Sequence, residues 1–155
     1  MVTSRPTRQR GITLIELLIV IAVVAILASL AVPSYRDYVL RTKRTEGMNT
    51  MLSLAACQER VYIKLNRYAL DRCGLASSCI SSPNQEYQIC MALNRNNAIA
   101  ANQSFILTAT PQGAQANDSC GNLTLTETGV RGVGAGTTDQ IVDGCWKGRK
   151  VAAGG

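Results

Sequence analysis

One carboxylate and six thiols are the side chains of this 155-residue sequence best placed to do chemistry. Glu16 sits inside RQRGITLIELLIVIAVVAILASLAVPSY, residues 8–35, a run that is otherwise almost wholly apolar once its arginines are passed. The cysteines stand at 57, 73, 79, 90, 120 and 145. Histidine is absent, so the usual neutral-pH general base and the commonest metal ligand are both missing. Hydrolase and metalloenzyme readings are correspondingly weak, and neither a catalytic residue nor a cofactor is expected.

An even number of widely spread cysteines, with no Cys-x-x-Cys pair and no histidine to complete a mixed zinc site, points to disulfides. Disulfides persist outside the reducing cytosol, so the chain after residue 57 is expected in a periplasm or beyond. Six cysteines admit 15 pairings, and their count and spacing alone do not choose among them.

Export then falls to the N-terminus. From Ile12 to Val32 the apolar run is broken only by Thr13, Glu16 and Ser29, and a helix of that length crosses a hydrocarbon core of roughly 30 Å. A cleavable secretory signal is the alternative, with SLA at 29–31 imitating its cleavage site, but the apolar stretch continues past Pro33 into a polar helix. Arginines 5, 8 and 10 precede the span, and Arg36, Arg41, Lys43 and Arg44 follow it. Positive charge therefore does not set the orientation; the cysteines do, placing the head outside.

A carboxylate near the end of a span has a partner or reaches the headgroups. Both readings are open for Glu16. The sharper one needs a cation at the helix start: a cut between Gly11 and Ile12 would create an α-amino group one turn from Glu16. In an assembly that carboxylate could pair with a neighbour's terminus and make a wrong register costly in lipid.

Beyond Pro33, Tyr35, Tyr38, Val39, Met48, Met51, Leu52, Ala55, Val61 and Tyr62 recur at three- and four-residue steps, predicting an amphipathic helix to about Leu65, interrupted by a polar stretch at Arg41 to Gly47. From Ile12 this helix reaches roughly 80 Å, so its first half should project from the globular part. Pro33 and Gly47 are its expected weak points. Residues 86–93, 104–110 and 121–130 alternate as strands, with a fourth possible from Val130. The expected fold class is α+β: one long helix, membrane-spanning and then amphipathic, packed on a small antiparallel sheet.

The N-terminal run resembles that of type IV pilin precursors: a short basic leader ending in glycine, a Thr-Leu-Ile-Glu-Leu block, a continuous apolar helix and a proline 22nd from the cut. The resemblance implies that a prepilin peptidase cleaves after Gly11 and methylates Ile12, that Glu16 serves subunit registration, and that Pro33 marks a bend. The family most often has phenylalanine first after the cut, where this chain has Ile12. TPQGAQANDSCGNLTLTETGVRG followed by GCW resembles, in particular, PilE-type minor pilins. The pairing preferred with that fold is Cys57 with Cys73, Cys79 with Cys90, and Cys120 with Cys145, the last resembling the family's loop-closing bridge.

The implied organisation is a leader at 1–11, a membrane and filament-core helix at 12–32, an amphipathic helix at 33–66, a disulfide-containing head at 67–150 and a tail at 151–155. The implied function is a structural subunit of a type IV pilus, a minor pilin that helps to initiate the filament for twitching motility and adhesion. It would be held in the inner membrane with its head in the periplasm and become extracellular on assembly. Its partners would be other pilins, the peptidase, the inner-membrane assembly machinery and the bilayer. Nucleic acid is not expected: without the leader, thirteen Lys+Arg face ten Asp+Glu, a formal charge of only +3.

Two rival functions are carried. A DNA-receptor competence pilin would use Lys147, Arg149 and Lys150, while Arg60, Lys64, Arg67, Tyr62 and Tyr68 read first as a solvated or subunit-facing surface. A type II secretion pseudopilin would need a denser acidic loop than Asp139 and Asp143 supply. The Asn-x-Ser/Thr triplets at Asn102, Asn117 and Asn122 are read as chance.

Overall fold

The computed structural model describes residues 12–93, 102–134 and 138–149. Gly11, the leader, Lys150 and the tail lie outside the described residues. Helix α1 spans Leu14–Leu65 and contains Pro33. The chain divides into two compact units, Met1–Arg36 and Asp37–Gly155.

In the first unit α1 is apolar on every side. Its most apolar 18-residue window has a mean hydropathy of 2.9 and none of it is buried within the chain. A helix apolar all round is at home in lipid or in a larger assembly's core.

In the second unit α1 becomes one-sided. Arg44, Gly47, Met48, Met51, Leu54 and Gln58 are its buried residues, spaced by one, three or four positions as one helical face requires. Two expectations change here. The polar stretch at Arg41 to Gly47 does not interrupt the helix, and it buries Arg44 and Gly47. Leu52 and Tyr38 are exposed, at 43% and 61%, and Tyr35 of the first unit is exposed too. The buried face runs through Leu54 and Gln58 instead, because a buried arginine and a buried glutamine occupy positions that hydropathy alone assigns to solvent.

Five antiparallel strands follow in the order β1-β2-β3-β4-β5: β1 Cys79–Ser81, β2 Tyr87–Leu93, β3 Phe105–Pro111, β4 Leu123–Thr126 and β5 Arg131–Val133. Period-two alternation sends Tyr87, Ile89, Met91, Phe105, Leu107, Ala109, Leu123 and Leu125 to the core. Met91 pairs with Leu107, and Leu107 with Leu125, fixing the register across the three central strands. The edge strand β1 is not foreseen from sequence, because three residues are too few to show alternation.

A 3₁₀ turn at Gly113–Asn117 joins β3 to β4, and an eight-residue helix, α2 at Asp139–Trp146, closes the head. By sequence alone the α2 segment reads as part of a glycine-rich loop. Its helical signal is brief: Ile141 and Cys145, and Val142 and Trp146, are pairs four apart that meet the core.

Gly47 has a steric reason to be glycine. A Cβ there would fall 2.8 Å from Tyr87 Cδ2, so the Tyr87 ring lies directly on the α1 backbone. The residue expected to weaken the helix is one on which the Tyr87 ring of β2 docks.

Candidate functional site

The entrance to α1 is a capped helix end. Thr13 precedes the first helical residue, and the Glu16 N–H donates to its Oγ1 at 3.3 Å. Thr13-x-x-Glu16 has capping-box spacing, a signal that the surrounding apolar run obscures in the sequence. The bond shown is to the Glu16 backbone; its carboxylate stands in the first turn, at the positive end of the helix dipole. Ile12 is 79% exposed and Glu16 is exposed on the same turn, so both are open to another chain.

Three disulfides tie the head together. Cys57–Cys73 fastens α1 to the segment after it, Cys79–Cys90 joins opposed residues of β1 and β2, and Cys120–Cys145 links the approach to β4 with α2. Cys120 and Cys145 are fully buried. Every cysteine is bonded.

Beside the buried bridge lies the head's polar centre. Arg44 Nε and Nη2 donate to the two carboxylate oxygens of Asp118 at 2.7 and 2.5 Å, a fork-on-fork contact available only to arginine. Arg44 Nη1 donates to the carbonyls of Cys145 and Arg149 at 3.4 and 3.2 Å. Gln115 Nε2 lies within 3.0 Å of the Leu40 carbonyl, Tyr87 Oη and Asp118 Oδ2, and Tyr87 Oη reaches Asp118 Oδ2 at 3.3 Å. Burial pushes the Tyr87 phenol well above its ordinary range, so it remains a protonated donor. One guanidinium thus joins α1, the segment after β3 and the C-terminal turn.

Among the described residues, exposed cations gather near α2 and at the far end of α1. Near α2, Asp143 lies 2.9 Å from Lys147 Nζ and 3.8 Å from Arg149 Nη2, so one carboxylate serves two of the three cations that a DNA-receptor pilin would use. Arg131 rests over the Trp146 ring, 5.0 Å from its centroid, and Trp146 Nε1 donates to the Gly132 carbonyl at 3.2 Å.

At the far end of α1, Arg60, Lys64 and Arg67 are exposed and have no ion pair among the described residues. Arg72 lies 3.8 Å from Asp71. The aromatics there are structural: Tyr68 is 5% exposed, stacks against Tyr62 and meets Phe105 edge-on. Tyr68 is therefore a core residue and no platform for bases. No group of three metal-ligating residues occurs among the described residues.

Comparison with known proteins places these features in a family. The type IV major fimbrial protein FimA of Dichelobacter nodosus is 54% identical over 41 residues, 26% of this chain and 26% of that protein. A fimbrial protein of Pseudomonas aeruginosa is 41% identical over 56 residues, 36% of each chain. The type IV major pilin PilA of Myxococcus xanthus is 37% identical over 62 residues, 40% of this chain and 28% of that one. The chain thus matches only about a quarter to a third of the length of these curated relatives. Among solved structures, a type IV pilin from Shewanella oneidensis aligns with a TM-score of 0.45 at 23% identity, over 59% of this chain and 89% of that one.

The model of the prokaryotic N-terminal methylation motif matches residues 6–32. A second family model, described as "Type IV minor pilin ComP, DNA uptake sequence receptor", matches residues 33–124. Covered over more than half its length by that second model, and by the methylation motif before it, the chain belongs to the type IV pilins, in the family of the minor pilin ComP.

Proposed function

We propose that this chain is a minor pilin whose head binds extracellular DNA for uptake, carried on a filament by the apolar N-terminal half of α1. The observation that carries the reading is the match to the DNA-receptor pilin family over residues 33–124, which takes in most of the head. The order of partners reverses with it: nucleic acid, ranked low on net charge, becomes the first ligand to test. Net charge is a poor guide here because affinity for DNA follows the local placement of cations.

In this reading the chain is held in the inner membrane by residues 12–32, cut after Gly11, methylated at Ile12 and drawn into a pilus. Glu16 pairs through its exposed carboxylate with the α-amino group of a neighbouring subunit, and Pro33 supplies a point where the helix bends. A head-to-tail contact that does not close yields an open helical fibre, and an all-apolar rod is suited to its core. No catalytic role is proposed.

The test is a paired phenotype. A strain lacking this chain should keep its filaments and lose DNA uptake, and the purified full-length protein in detergent should bind duplex DNA with an affinity that falls steeply with salt. Loss of filaments with no DNA binding by the purified chain would favour the second reading, a minor pilin that initiates assembly for twitching and adhesion.

A further inference from the structure

We infer that the DNA phosphates are met by the flank of α1 at Arg60 and Lys64, with Arg67 beyond it, and not by the C-terminal turn at Lys147 and Arg149. The inference rests on the receptor reading above and names the surface it would use. Three observations carry it.

The first is which cations are already neutralised. Lys147 and Arg149 share the Asp143 carboxylate at 2.9 and 3.8 Å, so a phosphate arriving there must displace an anion held in place. Arg60, Lys64 and Arg67 face solvent without a carboxylate partner among the described residues. Counterion release, the main source of phosphate affinity, is available in full only from the second group.

The second is spacing. Arg60 and Lys64 are one turn apart on α1, about 6 Å along its axis, so both side chains can follow a single phosphate strand. The nearby acids are turned to other work: the Glu59 carboxylate accepts from Tyr68 Oη at 2.9 Å, and that of Glu127 accepts the Phe105 N–H at 3.2 Å. The C-terminal end of α1 carries roughly half a negative charge, which puts the contact on the helix flank and not over its end.

The third is rigidity. Asn66, at φ 52°, ends the helix, and its N–H donates to the Tyr62 carbonyl at 2.7 Å. Gln103 Nε2 donates to the Asn66 carbonyl at 2.8 Å, and the Tyr68 N–H to the Asn102 carbonyl at 2.9 Å. The Cys57–Cys73 bridge closes the same segment onto α1. Arg67 and Arg72 are therefore carried on a fixed turn, and little ordering entropy remains to oppose binding.

The experiment uses the full-length protein in detergent and a fluorescein-labelled 30-base-pair duplex of randomised sequence, read by anisotropy across a salt series. Randomised duplex isolates the sequence-independent phosphate contacts. The triple variant Arg60→Gln, Lys64→Gln, Arg67→Gln should weaken binding at low salt by more than tenfold and flatten the plot of log affinity against log salt by about 0.9 for each phosphate no longer neutralised. Lys147→Gln with Arg149→Gln should leave that slope unchanged, and Asp143→Asn should change affinity less than twofold.

The opposite pattern would overturn the inference: an unchanged slope in the α1 variant, with the weakening appearing at Lys147 and Arg149 and a gain from Asp143→Asn. Absence of salt-dependent binding by the unmodified protein would instead remove the receptor reading, and this surface with it. Because all of these side chains are exposed, none of the variants should disturb the fold.

Discussion

Arg44 and Asp118 meet as a bidentate pair, with both nitrogen-to-oxygen distances at or below 2.7 Å and both side chains almost wholly buried. Each ion is tolerated in the interior only because the other is there. Asp118 also accepts the Cys120 N–H at 3.1 Å, so the pair fixes the start of the disulfide-closed segment as well as α1.

Removing one partner strands the other. Arg44→Met or Asp118→Asn should each cost about 3 to 5 kcal/mol, whereas removing both together should cost clearly less than the sum. Urea unfolding of the oxidised chain, followed by the fluorescence of its only tryptophan, Trp146, measures all three variants.

Gly47→Ala sets two effects against each other. Helix propensity favours alanine by about 1 kcal/mol, while the new methyl would meet the Tyr87 ring at 2.8 Å, an overpacking that costs about 1 to 3 kcal/mol. Because the contact is to ring carbons held in the core, the steric cost should win and the midpoint should fall. An unchanged or higher midpoint would mean that the ring moves aside freely.

The three bridges should not contribute equally. Chain entropy alone ranks them by loop, at about 3.5 kcal/mol for a separation of 25 residues and about 3 kcal/mol for 16 and 11. Cys120→Ser with Cys145→Ser also places two hydroxyls in a fully buried site beside the Arg44 network. This pair should therefore show the largest fall in denaturation midpoint of the three double variants.

Acid stability should depend on Glu46. Its carboxylate accepts the Asn84 N–H at 2.9 Å and the Asn84 side-chain amide at 2.6 Å, and the backbone bond above all holds its pKa below the ordinary 4.5. The folded state thus binds that proton less readily than the unfolded chain. The resulting stability is complete above pH 4.5 and is lost as pH falls through the lowered value. Glu46→Gln should flatten the stability-against-pH curve in that window and leave its shape at neutral pH unaltered.

The fold was legible where periodicity ran long. The apolar entrance to α1, the alternation of Tyr87 to Leu93 and Phe105 to Pro111, and the α+β class follow from spacing that the side chains must obey. Arg44 and Gln58 were not legible as core, because each is buried through a partner outside the helix: Asp118 for one, and the backbone of Ala69 for the other, at 2.8 and 3.2 Å. Strand β1 and helix α2 were too short for a period to emerge. At the cationic surfaces sequence shows where charge is but not what neutralises it, and Asp143 acts on Lys147 and Arg149 only once α2 forms.

The most direct test of the account is the intact mass and N-terminal sequence of this chain recovered from sheared surface filaments of DNA-competent cells. A processed minor pilin would give a chain that begins at N-methylated Ile12, carries three disulfides and is a minor component of the filament. A chain that keeps its leader in every fraction, or that begins after Ala31 and never enters filaments, would contradict the pilin reading and leave Glu16 as an interfacial carboxylate near a membrane surface.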